Sequence, residues 1–487
     1  MCLLPGYIQL FWYYFISSDR KCIWYDDGSS SSYFSRHWLD IYGTTMMMTA
    51  EDDKEDDGQQ QPSSSSGGGS GGDPKQSSSK ATTTAKKKNK KKKPVLIFIS
   101  GGTWQIHHRY FAIALGRALA PFGILVVVPD YAAFISQSVL KKWYNNLHPP
   151  QHHNTDMADM IHDVDTSIQW VFDHIEEYGG DATKVVLVGQ SAGGHIVGIL
   201  AALKMLDWLH QQQQDQTIST TTAAASAATK EQQGDNNNKT DDDNDDGTNN
   251  NQEATVAILT TTTITKHQQR LKSTYTPNQI RGYIPTSGPL NLIELRPIFL
   301  SSGILSPMKM EGLFGGYTND ILEWWSPLHV MEKCYEEYMH QQEVELGLHH
   351  NDDDDDDDDD DNKEESIKIK NVFPRICAIH GTGDECVPVQ TSEEFISRLC
   401  SRKIEAELIT YEGWSHTDPI IEAPMEGNHR YHRDLYNLIC KWTRSSSSDD
   451  DDDNGDDELP PFDESHPMLK PICPSVMVNW ARTCNPF

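Results

Sequence analysis

The run Val185-Val186-Leu187-Val188 leads directly into Gly189-Gln190-Ser191-Ala192-Gly193-Gly194, and residues 192–208 continue as an apolar helical stretch. A β-branched run, a turn of small residues and a helix with no connecting loop is a demanding combination. The turn is so tight that strand and helix lie nearly in contact, which large side chains at 189, 193 and 194 would prevent. The strand then has to be buried in a sheet, with the helix covering it. Ser191, at the centre of this elbow, is presented at the carboxyl end of the strand. Two plainer readings remain: a glycine-rich turn with an incidental serine, and a phosphate-binding turn. Against the second, neither G-x-G-x-x-G nor G-x-x-x-x-G-K-[ST] occurs.

The surrounding pattern alternates strand and helix. Residues 95–100 and 124–129 are continuous apolar runs, with helical patterns over 110–120 and 157–177. Later strands are expected at 282–286, 375–380 and 407–411, and helices at 392–400 and 431–443. Short apolar runs separated by helices imply a buried, mostly parallel sheet with helices on both faces. Residues 36–42 alternate like an edge strand, and the proline- and aromatic-rich segment 289–333 is the natural candidate for a small cap.

Composition sets the limits of these blocks. Of 487 residues only 37% are hydrophobic, and the net charge is −31. Four acidic runs, at 51–57, 235–246, 352–365 and 449–458, hold close to half of the 72 acidic residues. The charge therefore describes solvated low-complexity insertions rather than a binding face, and no nucleic-acid partner is expected. The expected organisation is an N-terminal segment with an edge strand over 1–45 and a disordered linker over 46–93. A domain over 94–444 follows, with disordered insertions at about 211–255 and 341–366, and then a mostly disordered tail over 445–487 that ends in an apolar piece. Nine scattered cysteines show no CxxC and suit a reducing compartment better than a disulfide scaffold. His349-His350 beside the poly-aspartate run lacks the fixed geometry of a metal site, so neither metal nor cofactor is expected.

Acyl transfer at Ser191 would need an oxyanion site, a base and an acid. Ser100-Gly101-Gly102-Thr103-Trp104 directly follows the strand 95–100. The backbone amides of Gly102 and Thr103, with that of Ala192, are the oxyanion candidates. Asp384 follows one strand and His416 follows the next, giving the order Ser, Asp, His at the carboxyl ends of three strands. His416 is then the base and Asp384 the group that orients it. Glu385 and Asp418 are rivals for the acid, and His380 and His195 for the base. Trp104, Trp324, Trp325 and Phe314 are candidates for an apolar pocket, or else for packing within the cap.

Residues 101–195, His380-Gly381-Thr382-Gly383-Asp384 and above all Gly413-Trp414-Ser415-His416-Thr417-Asp418 resemble the isoprenylcysteine α-carbonyl methylesterases, whose histidine stands in a Gly-x-x-His-Thr-Asp stretch. Leu3-Leu4-Pro5-Gly6-Tyr7-Ile8-Gln9 and residues 36–42 resemble the same family. The resemblance covers most of the folded blocks and none of the insertions. It implies an α/β-hydrolase fold and hydrolysis of the C-terminal methyl ester of prenylcysteine in prenylated proteins, at endoplasmic reticulum or Golgi membranes. Ser191, Asp384 and His416 match the family's catalytic positions, and Gly102, Thr103 and Ala192 its oxyanion donors. The chain departs from the family at Thr103, where an alanine is usual, and at Pro419 after the histidine loop.

Residues 1–17 are apolar and aromatic, but too short and too interrupted by Pro5 and Gln9 to span a bilayer comfortably. They suit a membrane interface; a helix or strand docked on the core, in a cytoplasmic protein, is the plainer reading. In the family this stretch follows further membrane-associated sequence, which leaves room for a span upstream. A soluble carboxylesterase, an arylformamidase-like hydrolase and a non-catalytic ligand-binding homologue remain alternatives. Oligomeric state is not legible in the sequence.

Overall fold

The structure, a computed structural model, describes residues 3–25, 37–44, 91–134, 155–231, 271, 273–346, 372–444 and 459–484. The 46–90 part of the expected linker, His349-His350 and the acidic runs lie outside the described residues.

Eight strands form one sheet: β1 (Arg20–Trp24), β2 (Trp38–Tyr42), β3 (Lys93–Ile99), β4 (Leu125–Pro129), β5 (Gly180–Gln190), β6 (Ile280–Thr286), β7 (Ile376–Gly381) and β8 (Ala406–Tyr411). Their spatial order is β1-β2-β4-β3-β5-β6-β7-β8. β2 is antiparallel to both neighbours, and the strands from β4 to β8 are parallel. This is the α/β-hydrolase topology, a mostly parallel sheet covered on both faces. β2 is not the edge strand its alternation suggested. It is paired on both sides and β1 takes the edge, which explains why Leu39, Ile41 and Tyr42 are fully buried.

Twelve α-helices are described: α1 (Leu4–Ile16), α2 (Ile113–Leu119), α3 (Met157–His174), α4 (Ala192–Glu231), α5 (Leu292–Ser302), α6 (Pro307–Phe314), α7 (Asn319–Trp325), α8 (Pro327–Leu346), α9 (Gln390–Ser401), α10 (Glu422–Met425), α11 (Arg430–Thr443) and α12 (Ser475–Cys484). The central strands read as unbroken apolar runs because their alternate residues serve two cores. Val95, Ile97 and Ile99 of β3 pack with α3, α4 and the cap helices α5 to α7. Leu96 and Phe98 pack on the other face with α2 and α11, whose Leu435, Ile439 and Trp442 face the sheet. Asp156 caps α3, accepting the Asp159 N–H, and Asp159 accepts the Asp156 N–H in return.

Two expectations about insertions are corrected. α4 continues to Glu231, into the tract read as a disordered insertion, because Gln and Ala are strong helix formers and nothing in 209–231 breaks the pattern. Residues 459–484 of the tail are ordered as well. Leu469, Ile472, Cys473 and Val478 are buried, and the N–H groups of Ile472 and Cys473 both donate to the Met425 carbonyl at 2.9 Å. This segment contains the apolar piece expected at the end of the tail.

α1 lies on the same side of the molecule. Its buried face, Gly6, Leu10 and Tyr14, packs with Met425, Ile472 and Val478. A buried ionic network fastens its end. The Asp40 carboxylate is fully buried and accepts from Tyr14 Oη at 2.8 Å and Arg20 Nη1 at 2.7 Å, with Arg109 Nε at 3.1 Å. Arg109 also reaches Asp130 at 3.2 Å. Removing the shared carboxylate would leave two poorly solvated guanidinium groups. Asp40→Ala is therefore expected to lower the unfolding free energy by about 3 kcal/mol, measured by urea denaturation, and to expose α1 to limited proteolysis.

Candidate active site

β3 sits between β4, reached on one side, and β5, reached on the other. The loops after β3 and β5 therefore separate above the sheet and leave a crevice at the carboxyl ends of the strands. Ser191 and the Gly101–Gly102 loop meet there, with the two backbones in close contact: a Cβ added to Gly101 would lie 2.4 Å from the Gln190 carbonyl oxygen.

The elbow is strained. Ser191 has φ of 56°, a left-handed conformation that costs a non-glycine residue on the order of 1–3 kcal/mol. Its N–H donates to the Thr286 carbonyl at 2.9 Å, and its carbonyl accepts from His195 N–H in the first turn of α4. Gly193 is required by contact: a Cβ there would lie 2.0 Å from the Ile99 carbonyl oxygen. After β3, Gly102, Thr103 and Trp104 all have positive φ, at 137°, 51° and 60°. Three such residues in succession fold the loop back over the elbow. Ala192 opens α4, so its N–H has no partner within the helix.

Ser191, His416 and Asp384 come together. His416 Nε2 is 2.7 Å from Ser191 Oγ, and His416 Nδ1 is 2.7 Å from Asp384 Oδ2. The carboxylate accepts, so Nδ1 carries the proton and Nε2 is left to accept from the serine hydroxyl. Gln190 Nε2 donates to the His416 carbonyl at 3.0 Å and fixes the loop from below. Asp384 Oδ1 accepts the N–H groups of Cys386 and Val387 at 3.0 and 2.9 Å.

The rival residues have other partners. His380 Nε2 lies 2.7 Å from the Val387 carbonyl and 3.2 Å from Asp384 Oδ2, so it donates, while Nδ1 accepts from Ser392 Oγ at 2.8 Å. It braces the acid and does not face the serine. Burial alone would push the Asp384 carboxyl up, but hydrogen bonds from His380 and His416 outweigh burial and hold it below the usual carboxylate range. Asp418 bonds Ser415 and Arg482 rather than the His416 ring. Glu385 is exposed. His195 donates from Nε2 to the Trp325 carbonyl at 2.7 Å, inside the core.

A cavity of about 330 Å³ opens over Ser191 and His416. Gly102, Thr103 and Trp104 line it, with Phe299 and Ile304 from the cap, Tyr7 from α1 and Leu3 just before that helix. Trp324, Trp325 and Phe314 are not among its lining residues. Trp325 turns inward and donates its indole N–H to the Phe314 carbonyl, Phe314 stands behind Trp104 at 5.6 Å, and Trp324 packs on the cap. Two tryptophans in sequence on a helix point in different directions, and the one at 325 faces the core. Sequence reasoning missed Gln190, Leu3, Tyr7 and Glu422. Only Gln190, next to the serine, carried a local signal.

Burial also holds several histidines neutral. His195 is pushed down to about 4, and His429 and His432, which share a 2.8 Å contact between their Nδ1 atoms, are lowered as well. In the unfolded chain such rings protonate near pH 6.5. Below that pH the unfolded state binds more protons, so this contribution to stability is complete above about 6.5 and is lost as pH falls toward 4. Urea midpoints measured between pH 7 and 4 are expected to fall with pH, with a shallower slope in His195→Gln. A flat profile would contradict this assignment.

A family model described as BD-FAE matches residues 83–287, and one described as Prolyl oligopeptidase family matches residues 334–446. A protein of Oryza sativa subsp. japonica named probable isoprenylcysteine alpha-carbonyl methylesterase is 25% identical over 333 residues, covering 68% of this chain and 53% of the relative. The Arabidopsis thaliana protein named isoprenylcysteine alpha-carbonyl methylesterase is 23% identical over 335 residues, covering 68% of this chain and 52% of its own length. A Mycobacterium tuberculosis protein named probable carboxylic ester hydrolase is 36% identical over 108 residues, 22% of this chain and 21% of the relative. The chain spans about half the length of the plant relatives it matches. By topology the chain has the α/β-hydrolase fold, and in sequence it is similar to proteins named as isoprenylcysteine alpha-carbonyl methylesterases and as a carboxylic ester hydrolase.

Proposed function

We propose that this protein hydrolyses a carboxylic ester through Ser191, His416 and Asp384, and that its substrate is the C-terminal methyl ester of a prenylcysteine. The observation that carries the reading is the continuous hydrogen-bonded chain from Asp384 through His416 to Ser191 at the floor of an apolar cavity. His416 Nε2 takes the hydroxyl proton as Ser191 Oγ attacks the ester carbonyl. The oxyanion that forms is met by backbone N–H groups of Ala192 and of Gly102 or Thr103. His416 then gives the proton to the departing methoxide, releasing methanol and leaving an acyl-enzyme. Water, deprotonated by the same ring, returns the carboxylic acid and free Ser191. Asp384, ionised because of its bonds to two histidines, holds the tautomer throughout.

The apolar lining supports a lipid-bearing substrate, and α1 supports delivery from a membrane surface. Leu4, Phe11, Trp12 and Ile16 on its outer face are 54 to 67% exposed, while Leu3 and Tyr7 of the same segment line the cavity. An aromatic-rich helix lying in the interface would bring the cavity mouth to the lipid phase. Among the described residues one helical segment, Ala192–Asp215, is long and apolar enough to cross a bilayer, and most of it is buried in the core beside Ser191. The exposed aromatic face of α1 supports an interfacial position, at endoplasmic reticulum or Golgi membranes as the family resemblance implies.

Methanol release from S-farnesylcysteine methyl ester is the test. The wild-type protein is expected to turn it over, and Ser191→Ala to lower kcat by on the order of 10⁴-fold or more. Turnover of short acyl esters or formylkynurenine alone would overturn the prenylcysteine assignment. For the membrane contact, sedimentation with phosphatidylcholine vesicles is expected for the wild type and is expected to be lost in Phe11→Asp/Trp12→Asp. A wild-type protein that stays in the supernatant would overturn it.

A further inference from the structure

The cavity wall is mostly apolar, and beside the reacting groups and a few neutral polar side chains it carries one carboxyl. Glu422, the first residue of α10, lines its wall while being only 4% exposed. Burying a carboxyl costs stability that burying an apolar residue of similar size would not. The triad does not need it, since Asp384 and Gln190 already hold His416. Burial, with the charge of Asp418, raises its protonation range, and the Thr417 hydroxyl, its own backbone N–H and the Arg482 guanidinium offset only part of that rise. Arg482 is itself fixed by Asp418 at 2.8 Å and by both oxygens of Glu426 at 2.7 and 2.9 Å. Glu422 lines the same cavity as Ser191, His416 and Thr417. A carboxylate accepts several hydrogen bonds, so its bond to Thr417 leaves room for a ligand donor.

We infer that Glu422 is a specificity-determining residue that receives the N–H of a nitrogen on the substrate's α-carbon, so that the cavity selects α-amino acyl esters with an apolar side chain over plain carboxylic esters. This rests on the ester-hydrolase reading above and narrows its substrate class. An ester carbonyl at Ser191 and an apolar chain in the cavity leave the α-nitrogen as the polar group to be satisfied. The donor is either a free ammonium or an amide N–H, and the two are separable by experiment.

The test compares S-farnesylcysteine methyl ester, its N-acetyl derivative and the desamino analogue methyl 3-(farnesylthio)propanoate, with the matching phenylalanine series and p-nitrophenyl butyrate alongside. In the wild type, kcat/KM is expected to be at least about tenfold higher for one nitrogen-bearing ester than for its desamino partner, as a charge-assisted bond would give. Glu422→Leu is expected to erase that ratio whichever donor is used. Glu422→Gln is expected to erase it for an ammonium and keep part of it for an amide. Equal kcat/KM across a wild-type series, or a ratio unchanged in Glu422→Leu, would overturn the inference. The wild-type ratio decides even if neither variant folds. Cleavage of p-nitrophenyl butyrate without discrimination would sink the inference alone, whereas no cleavage of any ester would sink the ester-hydrolase reading with it.

Discussion

The close passage of the β3 and β5 backbones over the elbow is the constraint on which the site depends. Gly193 lies against the Ile99 carbonyl and Gly101 against Gln190 and Ser191, with no side chain between. That contact forces Ser191 into a left-handed conformation and folds Gly102, Thr103 and Trp104 back beside it. Such strain persists only where the surroundings over-determine it. Here the surroundings are a parallel ladder on both sides of β5, the Thr286 carbonyl and the fully buried start of α4. The sheet's stability is thus converted into the position of one hydroxyl.

A second layer rests on that frame. The His416 loop is bonded to Gln190 from below, while on its outer side α10 packs against α1 and the ordered part of the tail. The two ends of the chain meet there, with Gly6 close to Cys473 and Arg482 clamping Asp418 and Glu426. The cavity is consequently walled by elements remote in sequence: Leu3 and Tyr7 near the start, the cap in the middle and Glu422 near the end. One exposed apolar face of α1 adjoins that wall, which links the geometry of the cavity to the surface it would meet.

Where expectation and structure part, the reason is local similarity of pattern with different partners. The segment 36–42 alternates like an edge strand, yet alternation cannot say whether a second neighbour is present, and β1 supplies one. Trp324 and Trp325 are adjacent on a helix and point apart, so aromatic content in a cap does not assign a pocket. The apolar piece expected at the end of the tail is part of a longer packed segment, whose Leu469, Ile472 and Val478 are buried against elements distant in sequence. α4 outran its expected end because no breaker interrupts it before Glu231.

By itself the sequence determined the strand–helix alternation, the elbow at Ser191 and the order in which Asp384 and His416 follow it, because each is a short-range pattern with a specific steric or topological meaning. Convergence of those residues on distances of 2.7 Å was a matter for the tertiary structure, since it depends on neighbouring strands whose pairing no local pattern states. The same holds for His380 bracing the acid, for α1 walling the cavity and for Glu422 within it. These are contacts between segments far apart in the chain. At their own positions those residues look like ordinary packing or solvated residues, and only the fold gives them neighbours.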